Sequence, residues 1–523
     1  MAIRMTKQIM MAAIFIHLFL GFISLIHPQT FGPDIMLESI TPGIVNQQDG
    51  SIAIDRENHV CVAWIDGAWD GVWNTIVMFG RSYDGGLTFQ QSVVFDEPLT
   101  DPYEFARGEV TLAMDSKGNP WVGWQLLIFD HAIFKVCRST DGGRSFEPPF
   151  FTENGEAWLG RDWLSIDEAD NVYILWLYSM AQLMLTTFSG GATNQSTTVT
   201  VNSVNPDSVL VSGRPTLEVL GEGEVGIVWS SYNNANPQRW LIFSKSEDAG
   251  KTIHHSVFVD RFEANSLSSG QWWPDITSDD FGNIHVVWSD DRSGDPDVYL
   301  SKSEDGGETF FESKRINEFT PSAYLLVPLC THNRSSGLGV VWDWGDYADI
   351  YFRRSTDGGE NFEHTIVVND STASGGRYIG GIASDDSGNV YVLFHKAEPR
   401  EDTFRIYLSK ATFEATDVEV SPVDAPIPKD FALHQNYPNP FNNATIMKYT
   451  VPMAESPQHT ILKIYDILGR EIKTLVDEGK RSGMYQVTWD GKDETVRDVA
   501  SGVYVYQLQV GHVDEGKKLV VLR

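Results

Sequence analysis

Four arginines stand at one comparable position in a chain that repeats itself, each just ahead of an apolar segment with strand character. They are Arg107, Arg161, Arg214 and Arg377. Guanidinium groups pair bidentately with carboxylates, so a ring of inward-facing arginines could hold a carboxylated sugar. In a further copy of the unit this position belongs to Trp272 and Trp273, whose rings could stack on a sugar. These six residues are the predicted ligand-binding set. The alternative is that the arginines pair with neighbouring Asp and Glu where units meet.

The repeating unit is marked by a short Ser-x-Asp-x-Gly phrase, first seen at 82–89. It returns about every 50–60 residues, a spacing typical of repeat architectures. A decayed copy lies at Ser189, and the intact copies carry Asp84, Asp141, Asp248, Asp305 and Asp357. Each intact copy separates two short apolar runs. It therefore predicts a hairpin turn in which Ser and Asp bond backbone groups and Gly accepts positive φ.

A second phrase, Asp-x-Gly-Asn followed by an alternating strand, gives the same period and appears seven times in strict or looser form. Each unit then contains four strands, which predicts an all-β, seven-bladed β-propeller over residues 34–417. Six blades are the alternative, if one looser unit is an insertion. The last unit lacks the Ser-x-Asp-x-Gly phrase, so we expect residues 35–39 to supply its fourth strand.

The Ser-x-Asp-x-Gly phrase resembles the Asp box of the sialidase-type (BNR) β-propellers. This resemblance implies that the five aspartates are structural and lie away from any active site. It also suggests an exo-glycosidase acting on carboxylated sugars, in which Tyr378 would be the nucleophile. Carboxylates for the remaining roles could come from Asp66, Asp70, Glu104 or Asp162, and the spacing selects none of them.

The chain departs from the sialidase pattern in several respects. Sialidases have six blades and an arginine motif in the first blade, whereas residues 47–52 contain no arginine. Gly213-Arg214-Pro215 is a fragment of that motif in another unit. The catalytic set is therefore incomplete, and we leave open whether the chain is an enzyme.

The amino-acid composition limits which partners and cofactors are expected for this protein. With 71 acidic and 39 basic residues, the net charge of −32 excludes nucleic acid as an expected partner. Cys61, Cys137 and Cys330 fall in different units and are predicted to be buried free thiols. No metal-ligand spacing appears and no cofactor is expected, although the acidic loops at 290–297 and 343–349 could bind Ca²⁺.

Both ends of the chain carry targeting features. Residues 1–29, with Arg4 and Lys7 ahead of an apolar stretch, are predicted to be a signal peptide, and an uncleaved membrane anchor is the alternative. Residues 418–430 form a proline-containing linker. Residues 431–523 read as a small immunoglobulin-like β-sandwich.

This last segment contains Asn436-Tyr437-Pro438-Asn439-Pro440, then the run 464–471, then Gly502-Val503-Tyr504. It closely resembles the type A C-terminal sorting domain of the type IX secretion system. The resemblance implies recognition by the outer-membrane translocon, cleavage by its sorting protease, and a product that is secreted or attached to the cell surface. The favoured interpretation is thus an exported, monomeric propeller that binds a glycan or another extracellular ligand.

Overall fold

The computed structural model describes residues 30–40, 46–69, 73–96, 104–105, 109–128, 131–155, 163–179, 182–204, 210–233, 236–260, 270–318, 327–343, 349–370, 376–397, 403–413, 431–433, 436, 439, 441, 445–452, 458–480, 483–489, 491–494, 497 and 499–522. The predicted signal peptide and linker lie outside these residues. The chain divides into two compact units, Met1–Ala415 and Thr416–Arg523. Among the described residues, no helix is long and apolar enough to cross a membrane.

The regular secondary structure of the described residues is almost entirely strand, so the all-β prediction is confirmed. The only helical turns described are two short 3₁₀ segments, Ser189–Gly191 and Val201–Val204. In the first unit, strands that follow one another along the chain pair antiparallel, and the described residues form seven sheets.

The seven sheets are numbered 1 to 7 along the chain. In each sheet, the strand that is named first below is called its first strand. Sheet 1 contains β2 (Asn46–Ile54), β3 (Val60–Trp69), β4 (Trp73–Ser82) and β5 (Gln90–Asp96); sheet 2 contains β7 (Val110–Met114), β8 (Pro120–Ile128), β9 (His131–Arg138) and β10 (Phe151–Gly155), with β6 (Glu104–Phe105) also paired to β8; sheet 3 contains β11 (Leu164–Ile166), β12 (Val172–Ser179), β13 (Gln182–Phe188) and β14 (Ser196–Thr200); sheet 4 contains β15 (Leu210–Gly221), β16 (Glu224–Asn233), β17 (Asn236–Ser246) and β18 (His255–Phe258).

The remaining sheets of the first unit follow the same scheme. Sheet 5 contains β19 (Gln271–Ser278), β20 (Ile284–Asp290), β21 (Asp297–Ser303) and β22 (Lys314–Arg315); sheet 6 contains β23 (Pro328–Asn333), β24 (Gly337–Asp343), β25 (Ile350–Ser355) and β26 (Ile366–Val367); sheet 7 contains β27 (Arg377–Ser384), β28 (Asn389–Ala397), β29 (Phe404–Thr412) and, from the start of the unit, β1 (Ile35–Met36).

The first strands of the sheets contact one another in chain order, from β2 through β7, β11, β15, β19 and β23 to β27. β27 also contacts β2, so the order is cyclic. Sheets arranged radially around a ring of first strands are the architecture of a β-propeller.

The ring is completed by the N-terminal segment, as expected from the missing phrase in the last unit. β1 pairs antiparallel with β29, placing Ile35 opposite Leu408. The amide of Leu37 then donates to the carbonyl of Ile406 at 2.9 Å. The sequence predicts a strand over 35–39, whereas the described strand comprises Ile35–Met36.

Neighbouring sheets interlock at the last glycine of each intact Ser-x-Asp-x-Gly turn. Gly143 has φ +89°, and a Cβ there would lie 2.3 Å from the Phe79 ring in sheet 1. Gly307 meets Phe243 in the same way, at 2.2 Å, across sheets 5 and 4. The turn therefore needs glycine for two reasons: the backbone is left-handed, and the preceding sheet occupies the space of a side chain.

The core lies between the sheets. The tryptophans of the second strands are buried, including Trp64, Trp124, Trp229, Trp288 and Trp342. The three cysteines are also buried and free, as predicted. Burial raises the pKa of the Cys61 thiol to about 12, so this group stays protonated, and its sulfur accepts a hydrogen bond from Arg81 Nε at 3.4 Å.

The second unit is a sandwich of two antiparallel sheets that share one core around Trp489, Tyr506 and Leu462. One sheet has the order β30 (Ala432–Leu433), β31 (Thr445–Val451), β34 (Gly483–Trp489). The other has the order β33 (Glu471–Lys480), β32 (Gln458–Asp466), β35 (Gly502–Val510), β36 (Val513–Val521).

Candidate functional site

The two ends of each sheet in the first unit differ in what they carry. We call the end with the hairpin turns between first and second strands, and between third and fourth strands, the turn end. The opposite end, where the first strands begin, is the entry end. Because paired strands are antiparallel, every first-strand start lies at the entry end. Of the predicted ligand-binding residues, Arg214, Trp272, Trp273 and Arg377 lie in first strands that the structure describes.

At the turn end, the five predicted structural aspartates lie in near-identical hydrogen-bond networks. In the first, Asp84 Oδ1 accepts from the Thr88 amide at 2.8 Å and from the Ser82 hydroxyl at 2.7 Å. Asp141, Asp248, Asp305 and Asp357 make the equivalent contacts. Hydrogen bonds from Thr88 hold the pKa of Asp84 at about 2. These carboxylates therefore accept their hydrogen bonds from residues of their own turns.

At the entry end, four of the first strands carry a β-bulge, which sequence reasoning missed. The register shifts between Gln48 and Ser51, Ser212 and Thr216, Trp272 and Asp275, and Ile379 and Gly381. Glycine or proline inside a strand pattern is the signal that could have found them, since Gly50, Pro215, Pro274 and Gly380 lie within the shifts. A bulge re-aims side chains and is frequent beside active sites.

Two of the bulges hold a non-glycine residue in the left-handed region. Asp49 has φ +47° in sheet 1, and Trp273 has φ +46° in sheet 5. Asp tolerates this conformation, whereas for a bulky residue such as Trp it is a true outlier. Such strain is stored most often at functional sites, which makes Trp273 the most informative residue at the entry end.

Trp272, the neighbour of Trp273, is half-buried and lies against a cation. The Arg239 guanidinium carbon is 5.3 Å from the centroid of the Trp272 ring. Arg239 belongs to β17 of sheet 4, so the contact joins two sheets at the entry end. A tryptophan and an arginine in this arrangement offer an aromatic surface and hydrogen-bond donors side by side.

Arg214 lies within the bulge of sheet 4 and reaches past sheet 3 to sheet 2. Its Nη1 is 2.6 Å from Oε1 of Glu109, which is almost fully buried just before β7. Glu109 was not among the predicted residues. No local sequence pattern identifies Glu109, because the arginine that pairs with it is more than a hundred residues away.

Arg377 is also paired with an acid. It is buried, and its Nη1 is 3.7 Å from Oδ1 of Asp349 in sheet 6. Both described arginines of the predicted ring therefore lie close to an acidic side chain from another sheet. Asp70, Arg107, Arg161 and Asp162 lie outside the described residues, and of Glu104 only the backbone is described, in β6.

The remaining catalytic candidates belong to sheets 7 and 1. Tyr378 stacks on His395 at 5.1 Å between ring centroids. Asp66 is fully buried and accepts hydrogen bonds from Trp64 Nε1 at 2.7 Å and Gln47 Nε2 at 3.2 Å, and from the Ser39 hydroxyl. Burial raises the pKa of Asp66 above its ordinary value. A carboxyl group of this kind can keep a proton at higher pH than usual.

The acidic loop at 290–297 contains its own cation. Arg292 Nη2 contacts both Asp290 and Asp260, and Ser313 donates to Asp260 at 2.7 Å. Among the described residues, no group of three or more His, Cys, Asp or Glu side chains could hold a metal ion. Residues 344–348 of the second acidic loop lie outside them.

Comparison with known proteins identifies the C-terminal region. Residues 435–522 match the family model described as the secretion system C-terminal sorting domain. The predicted resemblance to a type IX sorting domain is thereby confirmed, and the domain indicates that the chain is exported and then secreted or attached to the outer-membrane surface. No curated protein matches the chain.

Several solved structures resemble the first unit at low sequence identity. The polysaccharide lyase Uly1 has 11% identity and a TM-score of 0.47, over 75% of this chain and 94% of that one. The GH93 α-L-arabinofuranosidase of Fusarium graminearum has 13% identity and a TM-score of 0.45, over 73% and 97%. The NanB sialidase of Streptococcus pneumoniae has 10% identity and a TM-score of 0.40, over 75% and 72%. At these values the ligand of this chain has to be argued from its own residues.

Proposed function

We propose that the first unit binds a glycan at the entry end of the propeller, and that the sorting domain brings this binding surface outside the cell. The observation that carries the proposal is Trp273, a partly exposed tryptophan held in the left-handed region within a bulge. A left-handed backbone costs about 1–2 kcal/mol for a residue other than glycine. An indole kept at that cost on the ring of first strands is well suited to stack on a sugar face.

Polar groups suited to sugar hydroxyls lie at the same end. Arg214 is held by Glu109, and a guanidinium has five N–H donors, of which one carboxylate uses at most two. Arg239 is held beside Trp272. Pre-positioned donors next to an aromatic face are the usual composition of a site that binds a polar ligand with an apolar surface.

A second candidate function, a sialidase-like exo-glycosidase, is favoured by one observation. Asp66 is a buried carboxyl whose raised pKa suits a general acid, and it belongs to the sheet next to the one that carries Tyr378. Against this reading, Arg214 and Arg377 already face acids. The binding module remains the better-supported function.

The test is a glycan array probed with the purified protein and with Trp273→Asn. Asn tolerates the left-handed backbone, so this variant removes the ring and keeps the bulge. Tyr83→Asn, which removes an exposed aromatic at the turn end, is the matched control. We expect loss of glycan binding in Trp273→Asn alone. Equal binding by all three proteins would overturn the proposal.

The enzyme alternative is tested on the same proteins. Sialoside hydrolysis that is abolished by Tyr378→Phe, a change of one hydroxyl, would support catalysis. Glycan binding without any hydrolysis would support the binding function and contradict the glycosidase hypothesis.

A further inference from the structure

Two adjacent aliphatic side chains are unusually exposed in the second unit. Ile467 and Leu468 are each 74% exposed, more than any other large hydrophobic residue among those described. They occupy the turn between β32 and β33, at the tip of a hairpin. Adjacent exposed apolar side chains are a candidate surface for contact with a partner.

The turn that carries the pair is closed by several hydrogen bonds. Asp466 Oδ1 accepts hydrogen bonds from the amides of Leu468 and Arg470, both at 2.9 Å. The Gly469 amide donates to the Asp466 carbonyl at 3.0 Å, and Gly469 has φ +77°. Arg470 Nε closes the turn on Asp466 Oδ2 at 2.6 Å. The two side chains are therefore presented on a hydrogen-bonded backbone.

The same turn occurs in the first unit with polar residues at its tip. Asp115 Oδ1 accepts from the amides two and four positions later at 2.9 and 2.8 Å, and Gly118 has φ +74°. There the two tip residues are Ser116 and Lys117. The turn geometry does not require apolar residues, so Ile467 and Leu468 need another explanation.

We propose that Ile467 and Leu468 form a docking tip that inserts into an apolar pocket of the secretion-system protein that receives the sorting domain. The tip lies inside the matched region 435–522. Burial of two aliphatic side chains is worth roughly 10- to 100-fold in affinity for each one. The hydrogen bonds of the turn limit the entropy lost on binding.

A protein pocket suits the tip better than a lipid surface. Two side chains give a small apolar area, and residues 431–523 contain 11 acidic and 11 basic residues, so no excess of positive charge adds attraction to an anionic membrane surface. The inference concerns the second unit alone. Its failure is thus distinguishable from failure of glycan binding, which is measured on the first unit.

The experiment uses the full chain expressed in a bacterium with a type IX secretion system. The double variant Ile467→Ser, Leu468→Lys places at this tip the residues that the Asp115 turn carries. We expect its exported fraction to fall at least about 10-fold, with the chain accumulating in the periplasm. The control Val503→Thr, Val513→Thr changes two other exposed apolar residues of the same unit and should be exported normally.

Two further measurements keep the outcome decisive. A photoreactive amino acid at position 468 should cross-link to an outer-membrane component of the secretion system, and the conservative pair Ile467→Val, Leu468→Met should restore export. Normal export of the double variant, or cross-links only to other proteins, would overturn the proposal. So would tip-dependent binding to vesicles of equal parts phosphatidylethanolamine and phosphatidylglycerol without that cross-link, because it would assign the tip to lipid.

Discussion

Ile35 pairs with Leu408 across more than 370 residues, so the first strand of the propeller unit completes its last sheet. This N-terminal segment is thereby held by antiparallel pairing to a third strand, as are the fourth strands of the other six sheets. Because the contacts between first strands form a closed cycle, each described sheet of this unit packs against a neighbouring sheet on both sides. The stability of the unit should therefore depend on a short segment that precedes every repeat.

Leu37 anchors this segment, and its truncation should destabilise the first unit. The side chain is 2% exposed and packs with Ile406 and Leu408. We expect Leu37→Ala to lower the free energy of unfolding by about 2–4 kcal/mol, measured by chemical denaturation. Met36→Ala, on the exposed side of the same strand, should change it by less than about 0.5 kcal/mol. Equal effects would show that the segment is not packed as described.

A carboxyl pair next to β1 should make this closure sensitive to pH. The Asp34 amide donates to Asp370 Oδ2 at 3.1 Å, and the Asp370 amide donates to Asp34 Oδ2 at 3.3 Å. Burial, together with the second carboxyl, raises the pKa of Asp34 to about 7. A raised carboxyl pKa stabilises the fold fully below the unfolded pKa, near 4, and that contribution is lost as pH rises through about 7.

We therefore expect unfolding free energy to fall by about 1–2 kcal/mol between pH 5 and pH 8, a figure reduced for the partial exposure of the pair. In Asp34→Asn this fall should shrink, because one of the two like charges is gone. Asp96→Asn, which alters an exposed carboxyl of sheet 1, should keep the wild-type slope. Denaturation at several pH values measures all three, and parallel curves would contradict the prediction.

Local patterns predicted the elements of the propeller, since the turn phrases and the strand-end tryptophans depend only on neighbouring residues. Even the role of residues 35–39 followed from counting strands. The candidate site was harder, because its features join distant parts of the chain. The Arg214–Glu109 pair and the bulge conformation of Trp273 depend on how neighbouring sheets stack, and no local spacing encodes this. The arginine positions were found, but their acidic partners were not.

The turn aspartates should make the first unit sensitive to acid. Hydrogen bonds from Thr88 and Ser145 hold the pKa values of Asp84 and Asp141 at about 2. A lowered carboxyl pKa stabilises the fold above the unfolded value near 4, and this stabilisation is lost as pH falls towards about 2. In an acid titration followed by tryptophan fluorescence, Asp141→Asn should unfold at a higher pH than wild type, because its turn bonds are weaker throughout. Glu168→Gln, at an exposed carboxylate, should leave the midpoint unchanged.

Gly143 and Gly190 allow the two reasons for glycine in the repeated turns to be tested separately. One reason is the positive φ, and the other is the lack of space for a side chain. Both have positive φ, but a Cβ at Gly143 would meet Phe79 at 2.3 Å, whereas at Gly190, in the decayed copy, nothing lies within 4 Å. Gly190→Ala should therefore cost only the backbone strain, about 1 kcal/mol. Gly143→Ala should cost about 3 kcal/mol or more, because the Phe79 ring must move within a packed interface between sheets. Thermal or chemical denaturation gives both values. A Phe79→Leu background should recover part of the loss in Gly143→Ala and none in Gly190→Ala, and absence of that recovery would show that the clash is not what makes this glycine necessary.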